Sequence, residues 1–167
     1  MVAKPIYLVG LPGSGKSTFG HSIAKYLKRD LIDLDMEIEN AEEMSISNIF
    51  KSKGEKYFRE VEKNTLQTFD SGEIVVATGG GAPCFFDNMD FMLKHGITVF
   101  LDLSMELILS RLENDADDKR PLFEGKNIAK ALQELDAKRR PFYKRSQFTF
   151  TEKDDINHVF RAIESSH

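Results

Sequence analysis

Residues 10–17 (GLPGSGKS) carry the most specific chemical pattern in the sequence. They match G-x-x-x-x-G-K-[ST], in which glycines let backbone N–H groups surround phosphate oxygens while the lysine brings positive charge to the β and γ phosphates. The pattern lies between a short apolar run at 6–9 and a stretch with helical periodicity, which is the context that this mechanism requires. We therefore predict a nucleoside triphosphate site with Ser17 as a Mg²⁺ ligand. The predicted nucleotide-binding residues are Gly13, Ser14, Gly15, Lys16, Ser17 and Thr18.

Two aspartates, Asp33 and Asp35, come at the end of a second apolar segment, which we interpret as a strand over 31–35. Side chains of a strand alternate with period 2, so both carboxylates are expected on one face near the phosphate loop. One carboxylate can hold Mg²⁺ while the other orients and deprotonates an acceptor hydroxyl. The alternative is a solvated strand end that leads into an acidic helix, since Glu37 and Glu39 follow.

Three consecutive glycines, Gly79 to Gly81, end a third predicted strand at 74–78. Ligands of open α/β sheets bind beyond the carboxyl ends of the strands, and bare backbone lets N–H groups approach a hydroxylated substrate or a phosphate. The alternative is an ordinary loop that needs positive φ angles.

Four arginines could bind an anionic acceptor, because a guanidinium group fits a carboxylate or phosphate in a bidentate way. From spacing alone the more economical interpretation is that they are solvated surface charges, since one sequence does not show that they converge. These four residues are Arg59, Arg111, Arg120 and Arg139.

The elements that must position these residues alternate regularly along the chain. Strands are predicted at 6–9, 31–35, 74–78, 98–102 and 147–151, and helices at 16–28, 36–50, 56–69, 87–95, 104–114, 127–140 and 155–165. Five strands alternating with helices predict a three-layer α/β/α fold with a five-stranded parallel sheet. The polar segment at 114–126 is predicted to be a mobile lid.

Composition limits the function classes. The 167 residues fit one domain, 1–167, and 41% hydrophobic with 30% charged residues exclude a disordered chain. A net charge of −4 argues against nucleic acid as a partner. A single cysteine, Cys84, and the lack of any long apolar stretch lead us to expect a cytoplasmic protein with no membrane segment, and the ordinary surface composition is compatible with a monomer.

Taken together, the motifs resemble those of shikimate kinases, nucleoside-monophosphate-kinase-like enzymes that phosphorylate the 3-hydroxyl of shikimate with ATP. The phosphate loop alone would indicate only a superfamily. The resemblance extends from residue 6 to about the final helix and rests on motifs in the family's order: the phosphate loop, D-x-D with I-E (Asp33, Asp35, Ile38, Glu39), I-F at 49–50, G-E at 54–55, F-R at 58–59, G-G-G at 79–81, R-P-L at 120–122, and Arg139 with Pro141 and Tyr143.

The resemblance implies a P-loop kinase fold with a mobile lid and a role in aromatic amino-acid biosynthesis, with ATP and Mg²⁺ as cofactors. It implies that Lys16 stabilises the transferring phosphoryl group and that Ser17 and Asp33 hold Mg²⁺. Asp35 would hydrogen-bond the attacking hydroxyl as orienter or base.

For the remaining residues, the resemblance implies that Arg59 and Arg139 bind the shikimate carboxylate. Gly80 and Gly81 would contact substrate through their backbone. The further implied contacts are Arg120 from the lid onto the phosphates, Arg111 against adenine, and Phe50 and Phe58 as walls of a shikimate-binding region at about 36–69. Ordinary core packing is an equally good interpretation of these two phenylalanines.

Four alternatives stay open from the sequence. The acceptor could be another hydroxy acid such as gluconate, or a nucleoside monophosphate. A catalytically silent relative would be expected to lack Lys16, Asp35 or an arginine, and all of them are present. A nucleic-acid motor is disfavoured by the acidic balance and the small size.

Overall fold

The computed structural model describes residues 3–114 and 127–166. Its helices and strands follow the predicted alternation closely. In chain order they are β1 (Ile6–Val9), α1 (Lys16–Leu27), β2 (Asp30–Asp33), α2 (Leu34–Glu42), α3 (Ile46–Gln67), β3 (Ile74–Ala77), a 3₁₀ turn (Ala82–Cys84), α4 (Asn88–His95), β4 (Ile97–Leu101), α5 (Met105–Asn114), α6 (Ile128–Tyr143), β5 (Phe148–Phe150) and α7 (Ile156–Glu164).

The strands form one sheet in the order β2-β3-β1-β4-β5, and every neighbouring pair is parallel. This confirms the predicted five-stranded parallel sheet. Because all strands run the same way, the ends of β1, β2 and β3 meet at one edge of the sheet, where the phosphate loop, the two aspartates and the glycine turn follow them.

Strand alternation divides the core between the two faces of the sheet. Ile6 and Leu8 of β1 pack on one face against α1 and α7 residues such as Ile23 and Phe160. Tyr7 and Val9 pack on the opposite face among residues of α2 to α6. Both faces are therefore covered by helices, as a parallel sheet requires. Within the described ranges no helix is both long and apolar enough to cross a membrane.

The predicted strand over 31–35 is too long, because α2 begins earlier than expected. The chain leaves the sheet at Asp33, whose carboxylate accepts a hydrogen bond from the Met36 N–H at 3.2 Å and so caps α2. An N-cap of this kind satisfies one of the otherwise unpaired N–H groups of the first turn. Asp35 consequently lies in the first turn of a helix, and the period-2 argument for its direction was wrong.

The helix predicted over 36–50 is also divided, since α2 ends at Glu42 and Ser45 caps the separate helix α3. The break predicted between the helices at 36–50 and 56–69 appears as a kink inside α3 at Gly54, which adopts φ 84°. Pro141 does not end α6, contrary to the prediction. The helix continues to the fully buried Tyr143, whose packing outweighs the loss of one backbone hydrogen bond. Residues 115–126 of the predicted lid lie outside the described residues.

Candidate active site

The phosphate loop lies between β1 and α1, with the N-terminus of α1 open towards the cavity. Gly15 is the N-cap of this helix at φ 81°, and no side chain caps the first turn. The first turn also contains no acidic residue. The N–H groups of the first turn and the helix dipole therefore favour an anion at this point, as the sequence predicts for a phosphate.

Two basic side chains lie on the phosphate loop. The Lys16 ammonium donates hydrogen bonds to the carbonyls of Gly10 at 2.8 Å and Leu11 at 2.9 Å, so it lies across the loop. A Cβ placed on Gly15 would come within 2.6 Å of an Arg111 nitrogen, which shows how closely this arginine of α5 approaches the loop. Positive charge from two elements is thus concentrated at the anion site.

Asp33 faces the phosphate-loop side of the cavity. The Ser17 hydroxyl donates a hydrogen bond to its carboxylate at 3.3 Å. Within the described parts of the chain, no three His, Cys, Asp or Glu side chains group closely enough to hold a metal ion by themselves. A hydroxyl with one adjacent carboxylate nevertheless suits Mg²⁺, which keeps several waters and uses nucleotide phosphates as further ligands.

Asp35 lies on the other side, at the glycine turn after β3. A Cβ placed on Gly79 would lie 2.9 Å from Asp35 Oδ1 and 3.0 Å from Glu62 Oε2, so both carboxyl groups pack against bare backbone. Asp33 and Asp35 are therefore separated in position: the first lies against the phosphate loop and the second against the glycine turn.

The two arginines predicted to bind a carboxylate meet at the same turn. A Cβ on Gly81 would lie 2.6 Å from a terminal nitrogen of Arg59, and one on Gly80 would lie 3.1 Å from Nη1 of Arg139. Both side chains are buried, with 5% and 6% exposure. The sequence did not show whether these arginines, 80 positions apart, would converge, and the structure brings them together.

Arg59 and Arg139 differ in their partners. Arg59 donates from Nη1 to Glu62 at 2.8 Å, and Glu55 lies 3.4 Å away. Nη1 of Arg139 is buried and has no hydrogen-bond partner among the described residues. A buried cationic donor of this kind is costly, so its presence points to an anionic ligand.

Glu62 is a site residue that the sequence analysis missed. It is fully buried on α3, one turn after Arg59, and Oε2 has no hydrogen-bond partner in the described structure. Burial raises the pKa of its carboxyl to about 7, although Arg59 opposes this shift. The i,i+3 spacing from Arg59 is the signal by which the sequence could have indicated this pair.

The remaining predicted residues have simpler surroundings. Phe50 and Phe58 both line the cavity, with ring centroids 4.8 Å apart, while Phe58 is also part of the core. Burial raises the pKa of the half-buried Cys84 thiol to about 11, so the thiol is protonated at neutral pH.

A cavity of about 850 Å³ unites the site. Ser14 is buried and does not line it, and Arg120 lies outside the described residues, so its role stays a prediction. The predicted residues that line the cavity come from the phosphate loop, the glycine turn and four helices. They are Gly13, Gly15, Lys16, Ser17, Thr18, Asp33, Asp35, Arg59, Gly80, Gly81, Arg111 and Arg139.

Comparison with known proteins gives consistent results. The family model described as shikimate kinase matches residues 12–166. A shikimate kinase of Parabacteroides distasonis is 41% identical over 96% of this chain and 99% of its own length.

Solved structures agree in fold. The shikimate kinase of Bacteroides thetaiotaomicron superposes with a TM-score of 0.86 at 35% identity, covering 98% of this chain and 97% of that one. The shikimate kinase of Acinetobacter baumannii, solved in complex with shikimate, superposes with a TM-score of 0.90 at 33% identity, covering 98% and 94%.

Proposed function

The chain belongs to the shikimate kinase family and is an ATP-dependent phosphotransferase, and from this premise we propose how its residues carry the reaction. The reaction transfers the γ-phosphoryl group of ATP to the 3-hydroxyl of shikimate, a step of the shikimate pathway, giving shikimate 3-phosphate and ADP. The cavity described above is large enough for both substrates to meet.

The nucleotide phosphates bind at the N-terminus of α1. Backbone N–H groups of the loop from Gly13 to Thr18 surround the β phosphate, and Lys16 turns from the loop carbonyls to the β and γ phosphates. Ser17 and Asp33 would hold Mg²⁺, which would neutralise negative charge on the nucleotide phosphates. Arg111, at the edge of the loop, lies against the adenine.

Shikimate binds at the glycine turn. Its carboxylate is held by Arg59 and Arg139, and the backbone of Gly80 and Gly81 contacts the molecule through the space left by the absent side chains. The single observation that carries this proposal is the buried Nη1 of Arg139, a cationic donor that lacks a partner within the described structure. A carboxylate is the group that best satisfies it.

Asp35 binds the attacking hydroxyl. The 3-hydroxyl donates its hydrogen bond to the Asp35 carboxylate, the oxygen forms a bond to the γ phosphorus, and the bond from that phosphorus to the β,γ-bridging oxygen breaks. The proton passes to Asp35, and ADP leaves with the bridging oxygen. Such a transfer needs positioning and charge stabilisation and no covalent intermediate on the enzyme, which fits a site built from lysine, arginine and carboxylate groups.

Release of ADP from ATP and Mg²⁺ tests the proposed function directly. Shikimate is expected to accelerate it, whereas gluconate and nucleoside monophosphates are not, and removal of Mg²⁺ with a chelator is expected to stop it. A preparation that binds ATP but releases ADP at the same rate with and without shikimate would contradict the proposal. Acceleration by gluconate instead would reassign the acceptor.

The site also supports a monomer as the working unit, since one chain supplies phosphate loop, acids and arginines to the same cavity. The free, half-buried Cys84 suits a reducing compartment such as the cytoplasm. Light scattering of the purified protein tests whether it is a monomer. A mass twice that of one 19.0 kDa chain would contradict it.

A further inference from the structure

The guanidinium group of Arg59 is in contact with two aromatic rings. Its Cζ lies 4.1 Å from the ring centroid of Phe85 and 5.1 Å from that of Phe58. Both distances are within the range of about 6 Å in which a cation is attracted to an aromatic face. Phe85 is the closer of the two and comes from a different part of the chain, the segment that follows the 3₁₀ turn.

Phe85 approaches the guanidinium without lining the cavity. The carboxylates that contact Arg59 do so through its nitrogens, with Glu62 at 2.8 Å and the half-exposed Glu55 at 3.4 Å. Hydrogen bonds of this kind act in the plane of the guanidinium group, whereas an aromatic ring restricts its rotation out of that plane. The two kinds of contact are therefore complementary.

The segment that carries Phe85 is firmly held. The Cys84 N–H donates to the Gly81 carbonyl at 2.9 Å, and the buried Asn88 donates from Nδ2 to the Ala82 carbonyl at 2.8 Å. The Asn88 N–H also donates to the carbonyl of Phe85 itself, at 3.3 Å. A ring on such a segment is a fixed support rather than a mobile cover.

The next residue adopts an unfavourable backbone conformation. Phe86 has φ 51°, in the left-handed region that bulky side chains rarely occupy. The two neighbouring rings go to different cations: that of Phe85 lies over Arg59, and that of Phe86 lies 5.1 Å from the Lys63 ammonium and is 56% exposed. The fold thus tolerates strain at position 86 while position 85 keeps its contact with Arg59.

We propose that Phe85 is a positioning residue for the acceptor, because its ring fixes the orientation in which the Arg59 guanidinium meets the carboxylate of shikimate. The proposal rests on the proposed function of Arg59. It assigns Phe85 to acceptor affinity rather than to the transfer step, since the ring does not line the cavity in which phosphate and hydroxyl meet.

Steady-state kinetics of Phe85→Leu test this role. Loss of the cation–π contact is expected to raise the KM for shikimate about threefold to tenfold. The KM for ATP and kcat are expected to stay within about twofold of the original, because uniform binding energy is lost and not transition-state stabilisation. Phe85→Tyr keeps the ring and is expected to restore the KM for shikimate. Phe86→Leu, the same truncation one residue along, is the matched control and is expected to leave all three constants unchanged.

A double-mutant cycle with Arg59→Ala separates positioning from general packing. If Phe85 acts through Arg59, the change Phe85→Leu has no further effect on the KM for shikimate once the guanidinium is absent. An equal effect in both backgrounds would overturn the proposal, as would an unchanged KM in Phe85→Leu beside a raised KM in Arg59→Ala. An unchanged KM in Arg59→Ala would instead overturn the proposed function of Arg59, and the role of Phe85 with it.

Discussion

Replacement of Arg139 by methionine is expected to stabilise the ligand-free protein while removing its response to shikimate. Arg139 is 6% exposed, and its buried Nη1 has no hydrogen-bond partner among the described residues. Methionine keeps the unbranched apolar stem and removes the charge. The group that we assign to substrate binding is therefore one that the free protein holds at a cost.

The magnitude follows from the cost of a buried, unsatisfied donor, which is about 1–3 kcal/mol. Arg139 also attracts the buried Glu62 and so lowers its pKa, an interaction that the variant loses. At about pH 6, below the pKa of about 7 to which burial raises this carboxyl, Glu62 is largely protonated and the loss is small. A net gain of about 1–2 kcal/mol corresponds to a rise in Tm of about 2–8 °C for a chain of this size.

Thermal unfolding with and without shikimate is the assay. Shikimate at about 100 times its Kd is expected to stabilise the unmodified protein by about 2.7 kcal/mol, or about 5–11 °C in Tm. The Arg139→Met variant is expected to show almost none of this shift. ATP is expected to raise the Tm of both proteins equally, which shows that the variant is folded.

The neighbouring Arg140→Met is the matched control. Arg140 is paired with Asp102 at 2.9 Å and Asp136 at 2.9 Å, away from the acceptor cavity. Its loss leaves two carboxylates unpaired, so this variant is expected to be less stable by about 1 kcal/mol and to keep the full shikimate shift. If Arg139→Met instead lost stability and kept the shift, Arg139 would be a structural ion and the reasoning would be refuted.

Three further predictions concern catalysis, pH dependence and stability. Asp35→Asn is expected to retain ATP binding, measured by calorimetry, and to lower kcat by about 10²–10⁴, and near-normal turnover would contradict its role. Because the pKa of Glu62 is raised from 4.5 to about 7, the native state binds more protons than the unfolded state between these two pH values. The contribution of Glu62 to stability is therefore fully present below pH 4.5 and is lost as the pH rises through 7. Glu62→Gln is therefore expected to show a smaller decline of Tm over this window than the unmodified protein, and parallel Tm curves would exclude the effect. Lys28 is the C-cap of α1 at φ 55°, so Lys28→Gly is expected to stabilise the protein by about 0.5–1 kcal/mol. Lys25→Gly, inside the same helix, is expected to destabilise it by about 1 kcal/mol, and chemical denaturation measures both changes.

Local patterns predicted the individual strands and the phosphate loop, because both depend on residues that are close together in the sequence. The run at 6–9 is apolar on both faces, as a central parallel strand must be. The glycine-rich segment that follows it, between a strand and a helix, is typical of a phosphate-binding loop. The start of α2 depends on a single hydrogen bond at Asp33, which competes with one more residue of strand. Alternation of side chains alone does not decide that competition, so Asp35 was predicted to lie in a strand although it lies in α2.

Burial and pairing could not be predicted in the same way. Arg139 and Arg140 are adjacent and chemically identical, yet one enters the cavity without a partner for Nη1 and the other is held by two aspartates. The two side chains point in different directions from α6, and these directions depend on how the helix is rotated against the sheet. Propensity and periodicity carry no information on that rotation at the level of one residue.

Strand order explains the position of the proposed acceptor site. Because β3 lies between β2 and β1, its glycine turn is between the acidic start of α2 and the phosphate loop. None of the three glycines of this turn has a φ in the left-handed region, so they are not needed for the turn itself. They are needed for space, since Asp35 and Glu62 approach Gly79, Arg139 approaches Gly80 and Arg59 approaches Gly81. In the proposed function, a carboxylated acceptor held by the two arginines would present its hydroxyl to Asp35, with the phosphate loop following the adjacent strand. The arrangement of the phosphate loop, the glycine turn and Asp35 side by side follows from the strand order of the sheet. It forms only when residues far apart in the sequence come together.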